Sequence, residues 1–186
     1  GFDNKMDAAM SGRVGNVVTL NGTVPGDQKV RAGERIRLRL ANAAVARMMA
    51  LNFEEHRPTI VAIDGQPCEP HEPEGGRLVL GPAMRVDVIL DMQGDPGKRY
   101  AVTDDFYEGL AYTLTSLAYD AGPPLRADPL DAPVGLPRNP LPEPDLGNAV
   151  HQEIVLQGGM MGGGKLSGMG GMMGMATPGM NGGAVW

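Results

Sequence analysis

The chain has a single cysteine, Cys68, among 186 residues. That excludes an internal disulfide framework and any cysteine-rich zinc site. Only 3 His are present and no His-x-His occurs, so a metal cluster built from imidazole cannot be assembled from this chain. Positive charge is also scarce, with 16 Lys plus Arg against 22 Asp plus Glu and a net charge of −6. A nucleic-acid partner needs a basic footprint and is excluded. No apolar run approaches the ~18 residues of a membrane span, which excludes a membrane partner. Helical periodicity is almost absent, and no Ser-His-Asp signature, phosphate-binding glycine loop or His-Glu-x-x-His motif occurs. The opening Gly1-Phe2-Asp3-Asn4-Lys5 lacks an initiator Met and a signal-like pattern, and Gly183-Ala184-Val185-Trp186 breaks off as an apolar run begins. Both ends predict a piece cut from a longer protein.

What is abundant is glycine, proline and methionine: 28, 16 and 13 residues, against 8 aromatic ones. Glycine and proline are unevenly spread. Residues 1–120 carry 13 Gly and 7 Pro, whereas the much shorter 121–186 carries 15 Gly and 9 Pro. The first part has the composition of a folded domain; the second cannot bury a core of its own.

Within 17–120 apolar residues recur at period two between turn residues, which predicts many short strands. In Arg35-Ile36-Arg37-Leu38-Arg39-Leu40 three arginines alternate with three aliphatics, placing the aliphatics on one sheet face. Val86, Val88 and Leu90 alternate with Asp87, Ile89 and Asp91, and Tyr112 and Leu114 with Thr113 and Thr115. Further strands are expected at 17–20, 48–53, 59–63, 77–80, 100–103 and 153–156. Asn21-Gly22, Pro25-Gly26, Ala32-Gly33, Asp64-Gly65 and Pro96-Gly97 are the turns between them. Residues 41–47 have helix-forming composition but are too few for more than a turn or two, and read as a crossover loop. The expectation is an all-β, Greek-key sandwich or barrel. From 121 to 147, 8 of 27 residues are proline, which suits an extended strap or linker. After a late strand within 148–157 comes a low-complexity tract, 158–183, with 12 Gly and 7 Met.

The seven methionines of that tract, Met160, Met161, Met169, Met172, Met173, Met175 and Met180, stand among glycines with Lys165 as the only charge. Thioether sulfur is soft and selects Cu(I) over Mg(II), Ca(II) or Zn(II). A Gly-rich backbone lets sulfurs at irregular spacing converge, so these seven are the candidate Cu(I) ligands. The bland reading, gap-filling methionine, needs a folded scaffold that glycine does not supply. Elsewhere, Cys68-Glu69-Pro70-His71 with His56 upstream and Met84 downstream imitates a blue-copper ligand set of two His, one Cys and an axial Met. Its spacing is wrong, because the upstream His lies 12 residues from Cys68 and Met84 lies 13 beyond His71. Cys68 reads as a small, partly buried hydrophobe, His56 as a loop residue bonded to backbone, and His151 as the start of the late strand. Asp104-Asp105 and Glu54-Glu55 read as solvated charge in turns or between strands.

Val18-Thr19-Leu20-Asn21-Gly22, then Val30-Arg31-Ala32-Gly33-Glu34-Arg35-Ile36-Arg37-Leu38-Arg39-Leu40-Ala41-Asn42-Ala43, resembles the multicopper oxidase family, in its middle (second) cupredoxin domain. The resemblance continues through Ile63-Asp64-Gly65-Gln66-Pro67 and Leu78-Val79-Leu80-Gly81-Pro82-Ala83-Met84-Arg85-Val86-Asp87-Val88-Ile89-Leu90-Asp91. It implies a cupredoxin-like Greek-key β-sandwich over 14–120, a lead-in at 1–13, a Pro-rich strap at 121–147, a late strand at 148–157 and a flexible Gly/Met-rich segment at 158–186 that leads into a further domain. In such enzymes the first and third cupredoxin domains of the same polypeptide carry the copper ligands, and the middle one contributes none. No catalytic residue is therefore carried over. The implied parent is a copper-dependent oxidoreductase, periplasmic or secreted, that oxidises Cu(I) or phenols and reduces O2 to water, with this fragment alone inactive. The Met tract makes bacterial cuprous oxidases the nearest likeness, with laccase-like enzymes beside them. Two other readings are a periplasmic Cu(I) carrier that uses the tract and an immunoglobulin-like interaction module.

Overall fold

The computed structural model describes residues 17–155 except 129, 134 and 143. The chain divides into two units, Gly1–Pro140 and Leu141–Trp186. In the first unit nine strands follow one another: β1 (Gln28–Val30), β2 (Arg35–Ala41), β3 (Met49–Phe53), β4 (Thr59–Ile63), β5 (Gln66–His71), β6 (Leu78–Leu80), β7 (Arg85–Asp91), β8 (Arg99–Asp104) and β9 (Tyr112–Tyr119). They form a five-stranded sheet in the order β1-β9-β8-β3-β6 and a four-stranded sheet in the order β2-β7-β4-β5.

Alternation decides which side chains go inside. On β7, Val86, Val88 and Leu90 are buried, and they join Leu51, Phe53, Leu78, Tyr100, Val102 and Leu117 of the other sheet in one core cluster. Burying each large aliphatic contributes about 1.5–3 kcal/mol. On β2, Ile36, Leu38 and Leu40 pack against that cluster while the arginines face out. There Arg35 forms a two-pronged ion pair with Asp91, at 2.6 and 2.7 Å, and Arg37 and Arg39 share Asp87. The wet face of this sheet is thus laced by cross-strand charge pairs.

The connections follow the same local chemistry. Asp64 and Gly65 both take positive φ, 49° and 84°, the two-residue turn that a tight hairpin demands. Residues 42–48 form the irregular crossover from β2 in one sheet to β3 in the other.

Two expectations change, and two strands join those expected. Residues 17–20 form no strand, only a bridge from Leu20 to Thr23 around Asn21-Gly22, because two paired residues do not extend a ladder. The short polar β1 pairs in parallel with β9, and β5 is a strand despite Pro67 and Pro70. Proline is tolerated there because β5 is an edge strand. In the second unit, Leu146–Asn148 is a 3-10 turn capped by the Asp145 side chain. The described residues of the late strand show none, and His151 therefore starts no strand. A strand exists only with a partner, and no described strand pairs with 149–155.

Candidate functional site

Both ends of the sandwich carry side-chain hubs that hold loops in place. At one end, the alternation of Tyr100, Val102 and Asp104 on β8 carries the carboxylate inward, and Asp104 is 1% exposed. This corrects the expectation of solvated charge. Its Oδ1 accepts from the backbone N–H of Ala50 (2.9 Å) and Phe106 (3.2 Å); its Oδ2 accepts from Arg47 and from the Tyr112 hydroxyl, both at 3.1 Å. Four donors satisfy a buried charge that would otherwise be costly. The Arg47 guanidinium lies 5.5 Å over the Tyr107 ring and 5.3 Å over the Tyr112 ring. Burial pushes the Tyr112 phenol up to about 12, with Arg47 opposing and Asp104 assisting. Asp105, next along, points outward to Arg77 at 2.6 Å, and that bond holds its carboxyl below the usual range.

At the other end His56, Tyr100 and Tyr119 pack their rings together, with centroids 5.1–5.7 Å apart. His56 Nδ1 faces the carbonyl of Glu54 at 2.5 Å. A carbonyl only accepts, so Nδ1 carries the proton and Nε2 accepts from the Tyr119 hydroxyl. The same hydroxyl receives the Gly94 N–H at 3.0 Å and lies 3.5 Å from the Met92 sulfur. Tyr100 receives the Asp95 N–H at 2.9 Å. Both phenols pin the loop after β7, and Gly94 is required there: a Cβ would stand 2.7 Å from Tyr119 Cζ and overlap the Tyr100 ring. Burial raises the Tyr119 phenol as well. His56 is thus a loop residue bonded to backbone, as its sequence neighbours implied, but it also anchors this buried ring cluster.

The described residues between 123 and 139 lie along the sandwich. Leu125 donates to the Ala32 carbonyl (2.7 Å), Arg31 to that of Pro123 (3.0 Å) and Arg126 to that of Gly33 (2.7 Å). Gly33 has φ +80°, and a Cβ on it would come within 2.8 Å of the Arg126 nitrogen, so position 33 is closed to any larger residue. Farther on, Arg35 donates to the Asp131 carbonyl (2.6 Å) and Asn139 to Gln66 (2.8 Å). The segment thereby touches β2 and β5, the two edges of the four-stranded sheet. It roofs a cleft of about 370 Å³ lined by Glu34, Asp91, Met92, Asp95 and Arg126 among others. Three of its carboxylates are engaged: Glu34 with the Arg31 N–H, Asp91 with Arg35, Asp95 with Lys98.

The blue-copper imitation is not brought together. His56 is committed to Tyr119 at the ring cluster, His71 Nδ1 faces the Glu69 carbonyl on exposed β5, and Met84 Sδ accepts from the Gly81 N–H at 3.1 Å. Cys68 is half-buried against the core, and burial followed by Glu69 pushes its thiol up. Among the described residues no group of three or more His, Cys, Asp or Glu could hold a metal ion. The seven tract methionines lie outside the described residues. Among the described residues no helix is long and apolar enough to cross a membrane.

Two face-to-face sheets with crossover loops and a shared aliphatic core define a cupredoxin-like β-sandwich. The family model for multicopper oxidases matches residues 3–120, and the chain belongs to that family. A multicopper oxidase from Pseudomonas thermotolerans is similar in structure, with a TM-score of 0.65 and 31% identity over 79% of this chain and 34% of that one. A bacterial laccase-like multicopper oxidase, CueO, from Ochrobactrum sp. gives a TM-score of 0.59 and 27% identity, over 78% of this chain and 31% of that one. In sequence, Laccase-14 of Oryza sativa subsp. japonica is 30% identical over 93 residues, 48% of this chain and 16% of the rice protein. The chain therefore spans about a third of the solved relatives and a sixth of the rice laccase. Membership overturns the immunoglobulin-like reading. The blue-copper ligand set of that family is not assembled among the described residues: His56 and His71 are turned to Tyr119 and to backbone carbonyls, and Cys68 lies against the core.

Proposed function

We propose that this chain is the middle, second cupredoxin domain of a multicopper oxidase, a scaffold that holds the first and third cupredoxin domains of the same polypeptide at the separation their shared copper cluster requires. The division into a lead-in at 1–13, a sandwich at 14–120, a strap at 121–147, a connecting segment at 148–157 and a Gly/Met-rich segment at 158–186 belongs to the same reading. The observation that carries it is the commitment of His56, His71 and Cys68 to packing and backbone within an otherwise complete sandwich. Rigidity is what such a domain contributes, and the two hubs and the Pro-rich segment supply it. The parent enzyme, periplasmic or secreted, carries out four one-electron oxidations of a substrate, Cu(I) or phenols, for each O2 reduced to two waters. Copper ligands outside this chain supply that chemistry, and the fragment alone is inactive.

The test is to incubate the 186-residue chain with Cu(II), then measure visible absorption and O2 uptake with phenol or Cu(I). The expected result is a colourless, inactive protein; an intense blue band or O2 consumption overturns the reading. The source gene is further expected to encode His-x-His before Gly1 and His-Cys-His after Trp186.

The seven-methionine tract favours a second reading, a Cu(I)-binding or carrier protein that uses Met160, Met161, Met169, Met172, Met173, Met175 and Met180. Cu(I) titration decides it. Equal stoichiometry and affinity in the chain and in a variant with all seven changed to Leu would remove the tract as a site.

A further inference from the structure

Three of the six methionines outside the Gly/Met tract show two different environments. Met92 is 1% exposed and sits in the core. Met48 and Met84 are only half-buried, at the end of the sandwich that carries the Asp104 hub. Their sulfurs face one backbone position. A Cβ placed on Gly81 would stand 3.3 Å from Met84 Sδ and 3.6 Å from Met48 Sδ, so the two sulfurs lie within about 7 Å of each other. The absent side chain of Gly81 leaves the space they occupy.

The loops that present them are tied together by Asn42, which is 3% exposed. Its side-chain amide donates to the carbonyls of Arg47 (2.7 Å) and Leu80 (3.0 Å), the residues just before Met48 and Gly81. Its backbone N–H donates to the Met84 carbonyl (3.0 Å), and its own carbonyl accepts from Ala83 (2.9 Å). Ala83 takes φ +66°, a left-handed conformation that a non-glycine residue keeps only when its surroundings over-determine it. Met48 is held further by its N–H donating to the Tyr107 hydroxyl at 3.3 Å. Two thioethers of half-buried residues are thus delivered to one point beside the buried Gly81 by backbone that is fixed on both sides.

We propose that Met48 and Met84 form a two-thioether site for a soft monovalent cation of the Cu(I) or Ag(I) class, at the mouth of the cradle left by Gly81. Thioether sulfur selects such ions over hard ones. Each sulfur keeps coordinating capacity: Met84 uses one lone pair on the Gly81 N–H at 3.1 Å. Gap-filling requires only shape, whereas this pair is half-open to solvent and shares a focus. The site rests neither on the scaffold reading nor on the Gly/Met tract.

The test uses the full chain with the seven tract methionines changed to Leu, labelled with 13C at the methionine methyls, in chloride-free buffer. Ag(I), which mimics Cu(I) without redox chemistry, is the probe. The methyl signals, assigned through Met48→Leu and Met84→Leu, are expected to shift together along one saturation curve while Met92 stays still. Either Leu variant should weaken that binding by more than about tenfold, at least what losing an outer-shell partner of a metal costs. Leucine conserves volume, so an unchanged melting temperature shows that the fold is intact. Signals that do not move, that titrate with separate midpoints, or that keep their affinity in either variant overturn the site.

Discussion

The two ends of the sandwich hold their loops by opposite chemistry. At the Asp104 end one buried carboxylate gathers Ala50, Phe106, Arg47 and Tyr112. At the His56 end two neutral phenols and an imidazole gather Gly94, Asp95 and Glu54. A charge concentrates four bonds on two oxygens, each stronger than a neutral one, and its removal takes the carboxylate away from the half-buried Arg47 and leaves the N–H donors of Ala50 and Phe106 unmatched. The neutral hub spreads its bonds over three rings and depends more on shape. The difference teaches where each end is vulnerable: the first to loss of one group, the second to loss of space.

The largest expected effect tests the first half of that statement. Asp104→Ala should destabilise the chain by about 3–5 kcal/mol, the range for breaking a buried pair from one side, as read from urea unfolding. A loss below about 1 kcal/mol, the net worth of a single ordinary hydrogen bond, would erase the contrast. Next comes Gly94→Ala, where a methyl group must displace the Tyr100 and Tyr119 rings. Overpacking of this kind costs about 1–3 kcal/mol, and a neutral result would mean that the rings yield without losing their pins.

The smallest effect concerns alkali. Burial favours the neutral Tyr112 phenol, raising it from an ordinary value of 10.0 to about 12. The stability it contributes is complete below pH 10 and is lost as pH rises toward about 12, because the unfolded chain releases that proton first. The urea midpoint should therefore decline over this window, and more shallowly in Tyr112→Phe. Identical slopes would assign the decline to other groups, Tyr119 at the opposite end among them.

Much of the fold is legible in the sequence because period two is a local signal. β4 matches its expected bounds, and β2 and β7 differ by one residue. Where the structure departs, a non-local cause is at work. β9 continues to Tyr119 because residues 115–118 pair with β8 and, from Leu117, residues 117–119 pair with β1, although the register with β8 slips between Val102 and Thr103 and leaves Leu114 as the extra residue. The buried phase then moves from Leu114 to Leu117 and Tyr119, which breaks the alternation that a reader counts. β1 and β5 exist by virtue of neighbours that the sequence does not name. Asp104 could have been found: it continues the buried phase of Tyr100 and Val102, yet its neighbour Asp105 made the pair look like a solvated turn. The ring cluster was less accessible, since His56 and Tyr119 are 63 residues apart.

The pairing of β1 with β9 has a mechanical side. The two are parallel neighbours, with Gln28 opposite Leu117 and Val30 opposite Tyr119, and the Asp120 N–H donating to the Val30 carbonyl at 2.8 Å extends the seam. Tension that enters ahead of Gln28 and leaves beyond Tyr119 drags the two strands in opposite senses along their length. Their hydrogen bonds then carry the load together in shear and cannot open one after another like a zip. Past the seam, the bond from Leu125 to Ala32 clamps the outgoing chain beside the incoming one, so a pull on either side is resisted at the edge of the sheet before it reaches the core.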